Sequence, residues 1–187
     1  MSRDRFVELF SAALLSLPDD LKTTLRLVED PDLDETSRVE LAGGLLRTIS
    51  ARAIIPGVRG VLQRLGDALL LRVAIERARE RSPAIVERHL AGSPSLGGAL
   101  DAHLDAARAY LADGIRTIEN TAAEASKVSH SGHSAESCVR DAESMDWLYD
   151  AVHGALIEHF DYDAEEVARA MRDVDRIRPP LEALARR

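Results

Sequence analysis

Apolar residues recur at helical spacing through most of the chain. From Leu100 the series runs through Leu104, Ala107, Leu111, Ile115 and Ile118 to Ala122, three or four residues apart at every step. That period lines side chains along one stripe of an α-helix and would scatter them over both faces of a strand. A second series, Val58, Val61, Leu62, Leu65, Ala68 or Leu69 and Ile75, also falls on one face at helical spacing. Alanine, leucine, arginine and glutamate are abundant and β-branched runs are few, which favours helix over sheet. The expected fold is therefore all-α, an irregular helical bundle of about seven or eight helices with short connections.

Punctuation divides the chain. A first helix over 4–16 should end before Pro18, and a second should run from Asp19 to Glu29. Asp32 with Glu35 has capping-box spacing for a third helix, with Asp34 as the competing cap. Gly43-Gly44 lies inside that helix, where each glycine costs about 1 kcal/mol against alanine, so a close helix–helix approach is expected there. Pro56-Gly57 breaks the chain before a long helix over 58–81. Ser82-Pro83 and Ser93-Pro94 read as helix starts, and another long helix is expected over 96–125. The polar run 126–133 is the clearest loop and the best boundary, separating a helical part over 1–125 from an acidic helical segment over 134–187 packed on it. Ser134 should start a helix to Phe160, and Asp163 with Glu166 a last one ending before Pro179-Pro180.

Charge narrows the partners. Lys and Arg number 24 against 32 Asp and Glu, for a net charge of −8. Nucleic-acid binding needs a basic face to displace counterions, so it is not expected. Between Arg140 and Arg169 there is no basic residue other than histidine, and Asp141, Glu143, Asp146, Asp150, Glu158 and Asp161 all fall there. No run of about 18 uncharged apolar residues exists, so no transmembrane helix is expected. The N-terminal stretch carries Glu8 and no small-residue cleavage pattern, unlike a secretory signal. Cys138 is the only cysteine, which suits a reducing compartment; the cytoplasm is the expected location.

The segment from Thr48 to Arg72 carries a family resemblance. Ser50, Ile54, Ile55, Pro56, Leu62, Leu65 and Asp67 stand where the YkvA-like bacterial family of unknown function has its Ser-Pro-x-Asp, Pro-Asp and Leu-Asp-Asp pattern. The chain resembles that family over about residues 25–82. Ala51, Ala53, Gly57, Gly60, Gln63 and Gly66 replace the family's other prolines, aspartates and glycine. Only Asp67 remains of its carboxylates, too few to hold a hard cation, which needs several oxygen ligands. The resemblance implies a retained helical framework and brings no assigned activity.

Several constellations invite chemical readings. His130-x-x-His133 with Cys138 offers zinc-type ligands, but a structural site needs a fourth, and the plainer reading is a polar loop holding two histidines. Cys138 near a helix start is either a thiol of lowered pKa or a small buried apolar residue. Glu143, Asp146, Asp150 and His153 share one helix face, and Asp150-x-x-His153 has the spacing of an iron-binding pair; no second such pair exists. His159 falls on the apolar stripe of the same helix and is expected to be buried. Arg59, Arg64 and Arg72 are candidates to pair with the C-terminal acids. No Gly-x-Ser-x-Gly elbow and no phosphate-loop motif is present.

Trp147 lies off the stripe formed by Leu148, Val152 and Leu156, either as an interface anchor or under another helix of the same chain. The expected function is protein–protein interaction, as adaptor or by self-association, with Trp147, Tyr149, Asp146 and Asp150 as the surface and no cofactor required. The alternatives are a zinc or iron protein, and peripheral membrane association through Phe6, Val7, Leu9, Phe10 and Leu14 of the first helix.

Overall fold

A computed structural model describes residues 2–186 as eleven α-helical segments, one of which is buried among the others. That helix is α4 (Val61–Arg81). It packs against α1 (Ser2–Leu15), α2 (Leu17–Glu29), α3 (Glu35–Ile49), α5 (Pro83–Leu90), α6 (Leu100–Leu111), α7 (Ile115–Ala123) and α10 (Ala164–Met171). A helix enclosed on every side must be apolar around its whole circumference, and Leu65, Ala68 to Leu71 and Val73 to Ile75 are all buried. The remaining elements are a short hairpin, β1 (Ser129–His130) and β2 (His133–Ser134), then α8 (Ser137–Arg140), α9 (Ala142–His159) and α11 (Arg178–Ala185). α9 lies on α2 and α3, α10 on α1 and α4, and α11 on α7.

Enclosure forces the arginines of α4 to find carboxylates nearby. Arg72 and Asp20 of α2 form an ion pair at 2.8 Å with both side chains 0 % exposed. Arg64 pairs with Asp67, one helical turn further along, at 3.0 Å. Arg77 and Arg81 both fork onto Glu40 of α3. Neither Arg64 nor Arg72 turns to the acids of the C-terminal third, contrary to expectation, because those acids sit on the solvent side of α9 and beyond it.

The all-α expectation holds, and the differences lie at the joints. Asp34, not Asp32, caps α3 and accepts the Ser37 N–H. Pro18 falls in the first turn of α2, and Pro179-Pro180 open α11 instead of ending its predecessor. Proline suits the first helical turn, whose N–H groups lack partners in any case. The single helix expected over 96–125 is two, because Ala112 adopts a positive φ of 48° and a 3-10 turn over Ala112–Gly114 follows. Ser93-Pro94 opens a series of turns and α6 begins only at Leu100. The helix expected from Ser134 is interrupted at Asp141, which caps α9 through the Ser144 N–H.

The close approach expected at Gly43-Gly44 occurs at Gly43. A side chain there would overlap the Ala125 carbonyl, in the 3-10 turn Ala125–Lys127 that follows α7. In α1, Phe6, Phe10 and Leu14 are buried, and the Phe6 ring stacks on Phe10 and Tyr110, each at 4.4 Å. With Val7 and Leu9 half-buried as well, the apolar face proposed for membrane contact is spent on the core. No helix among the described residues is long and apolar enough to cross a membrane.

Candidate functional site

Most residues singled out in the sequence gather on the hairpin and α9. Ser131 and Gly132 have φ of 50° and 86°. Two successive positive-φ residues are what a two-residue hairpin turn requires, so the polar run folds into β1 and β2 instead of a loop. His130 and His133 are register partners across that ladder, and His133 is committed elsewhere. Its ring stacks on Trp147 at 4.2 Å and 11°. Its Nδ1 lies 3.0 Å from the Ser144 hydroxyl, which itself donates to the Asp141 carboxylate at 2.8 Å, so the Nδ1–H is the donor.

Cys138 does not join the histidines. It is 0 % exposed, and burial pushes its thiol up to about 11, the opposite of an activated thiolate. No group of three or more His, Cys, Asp or Glu able to hold a metal ion occurs among the described residues. The zinc set His130, His133 and Cys138 therefore lacks the convergence its spacing suggested. Asp150 and His153 do share the outer face of α9, but His153 stacks on Tyr149 at 4.1 Å and its Nδ1 meets the Tyr149 carbonyl oxygen. His159 is exposed beside Glu158, not buried on the apolar stripe.

The two faces of α9 separate cleanly. Leu148, Val152 and Ala155 are buried, with Met145 and Leu156 packed against them. Opposite lie Asp146, Asp150, His153 and Ile157, within one arc by helical periodicity. Ile157 is 83 % exposed and Tyr149 46 %. Trp147 falls between the faces, half-buried beneath the hairpin. A strand of the same chain covers it, where a partner or another helix was expected.

Of the positions shared with the YkvA-like pattern, Ser50 ends α3 and Pro56 is an exposed turn residue. Asp67 is buried, and Arg64 bridges it to the Thr48 carbonyl while lying 4.4 Å over the Phe160 ring. Burial raises the Asp67 carboxyl to about 7, with the Arg64 hydrogen bond and charge opposing the rise. A folded-state value above the unfolded one favours the protonated form. The contribution of this group is then fully present below about pH 4 and is lost as pH rises through about 7. Asp67→Asn is expected to flatten a stability decline of up to about 1.4 kcal/mol per pH unit across that window. Urea titrations of both proteins at several pH values would show it; parallel profiles would mean that Asp67 titrates normally.

Comparison of the chain with protein-family models, with curated proteins and with solved structures returns no match. The residues themselves carry the functional reading.

One group escaped the sequence reading. Arg47 and Ser50 of α3, Arg52 just beyond it, and Lys127 and Ser129 after α7 line a common pocket. Its members come from stretches about 70 residues apart and match no motif. The only local signal was lysine itself, confined to Lys22 and Lys127.

Proposed function

We propose that this chain acts by binding another protein through the outer face of α9, as an adaptor, with Tyr149, His153 and Ile157 as the apolar contact and Asp146 and Asp150 as its acidic rim. The observation that carries the reading is Ile157, 83 % exposed, on a helix whose inner face already supplies its share of the core. A large aliphatic side chain contributes about 1.5–3 kcal/mol when it moves from water into an apolar contact. Tyr149 and His153, stacked on each other, present a flat, preorganised surface beside it. Exposed apolar anchors within a charged rim are the usual anatomy of a helix-face interface. The acidic rim selects a partner whose own apolar strip is flanked by Lys or Arg.

Trp147 takes a different role in this reading from the one its sequence position suggested. Its stack with His133 fixes the hairpin against the flank of α9, so it supports the contact face from the side.

Ile157→Asp separates binding from folding. With so little of the side chain buried, the substitution is expected to leave the thermal midpoint within about 2 °C of the parent, as surface changes do. It should also abolish co-purification of a stoichiometric partner from the native host, or the dimer if the partner is a second copy. A partner retained equally by Ile157→Asp and Tyr149→Ala would remove α9 as the docking face.

A further inference from the structure

We propose that the pocket between α3, the end of α7 and the hairpin binds a small phosphomonoester through Arg47, Arg52 and Lys127. Its volume is about 340 Å³, within the range of small-ligand pockets. The inference is independent of the α9 reading and uses none of its residues.

Three observations converge on it. The first is a partly buried arginine without an ion pair; the other arginines that lack one among the described residues are exposed, apart from Arg38, which donates to the Val28 carbonyl. Arg64, Arg72, Arg77, Arg81, Arg88 and Arg108 each meet a carboxylate. Arg47 has no ion pair and donates no side-chain hydrogen bond among the described residues, and its Nε is buried with no acceptor in reach. Its terminal nitrogens have no partner among the described residues, and a charge-assisted hydrogen bond from them to a bound anion would stabilise the group.

The second is that the backbone beneath the pocket wall is tightly packed. Gly43, Arg47 and Ser50 stand at i, i+4 and i+7, on one face of α3. Gly43 lets that face touch the Ala125 backbone, which clamps the turn carrying Lys127 directly against the helix. The backbone segments that carry Arg47 and Lys127 are thus held side by side by a backbone contact.

The third is charge. Within the pocket lining Arg47, Arg52 and Lys127 stand against one carboxylate, Glu124, which meets only Lys127, at 3.4 Å, while Arg47 also feels the buried Asp67 at longer range. The pocket is net cationic in a chain of net charge −8.

Three cations brought together from two distant backbone segments suit a dianion with charge on several oxygens. A lone carboxylate is satisfied by one bidentate arginine. Glu124 at the rim repels a bare anion and accepts a hydroxyl, so the ligand chemistry that fits is a phosphate ester with a hydroxylated organic part. Ser50 and Ser129 add hydroxyl groups to the lining.

The test is calorimetric titration of the full chain with glycerol 3-phosphate, against glycerol and sodium chloride at matched ionic strength. In parallel, phosphatidylcholine vesicles with and without phosphatidic acid are tested by flotation. Saturable binding of glycerol 3-phosphate, weakened about tenfold or more by Arg47→Gln and by Lys127→Ala, is the expected result. Arg52→Ala, at an exposed position, provides a variant whose folding is not at issue and should also weaken binding. Ile157→Asp should bind as the parent does, whatever becomes of its protein partner. Binding only to phosphatidic acid vesicles, with the same dependence on Arg47 and Arg52, would support the site and place its ligand in a bilayer. No saturable response in either arm, or binding indifferent to both Arg47→Gln and Arg52→Ala while circular dichroism shows them folded, would overturn it.

Discussion

Asp20→Ala is expected to destabilise the protein by about 3–5 kcal/mol, the usual cost of removing one member of a buried ion pair. Arg72 would remain, 0 % exposed, with only the Ala68 carbonyl to accept from it. Its Nε already lacks an acceptor. The loss would reach further than α2, because the second Asp20 oxygen accepts the Ser95 hydroxyl at 2.6 Å. That bond ties the turns between α5 and α6 to the core, so amide exchange across 93–99 should accelerate in the variant beyond the global effect. Replacing both partners, Asp20→Leu with Arg72→Met, removes the stranded charge as well. The double variant is expected to be more stable than either single one. Urea unfolding decides: single-variant costs below about 1 kcal/mol would mean the pair exchanges with water and is not the buried bridge described above.

Adjacent glycines in α3 should respond with opposite signs to the same substitution. Gly43→Ala puts a methyl group into the Ala125 carbonyl, which cannot move freely because it accepts the Val128 N–H at 3.0 Å. Overpacking of that kind costs about 1–3 kcal/mol, and here it exceeds the helix-propensity gain of about 1 kcal/mol. Gly44→Ala meets only a Leu71 methyl, at the ordinary contact distance of 3.7 Å. It should gain most of that propensity term and raise the thermal midpoint. Equal effects at the two sites would mean that the contact between α3 and the 125–127 turn is not formed in solution. Because the same contact sets the spacing between the segments that carry Arg47 and Lys127, Gly43→Ala should weaken phosphate-ester binding too, while Gly44→Ala leaves it unchanged.

What the sequence made legible were the stripes, and what it concealed were the joints. Helical spacing placed Leu45, Leu65, Leu104 and Leu148 in the core, and all are buried. Asp163 was read as a cap and accepts the Glu166 N–H at 2.7 Å. The break at Ala112 carried no signal, since alanine is the strongest helix former. The paired prolines of α11 were ambiguous because proline both ends one helix and opens the next. Among candidate residues, spacing found the outer face of α9 but could not see that β2 lies over Trp147. Residues such as Arg47 and Lys127 meet only through tertiary structure, and no periodicity within one segment reports such a meeting. The YkvA-like pattern, by contrast, fell on residues that the fold uses structurally: an end of α3, a turn, and the buried Asp67.

Trp147 is the only tryptophan in the chain, and it sits face to face with His133 on the strand that immediately follows the cationic pocket. Its fluorescence is therefore a built-in spectroscopic gauge of that strand. The indole and imidazole rings lie 4.2 Å apart, so any change in the seating of β2 changes the surroundings of the indole. A ligand that shifts Ser129 would move its ladder partner Ser134, the neighbour of His133, and so change the stack and the intensity with it. One intrinsic chromophore thus reports on the hairpin's seating without any label, in the parent chain and in each variant above.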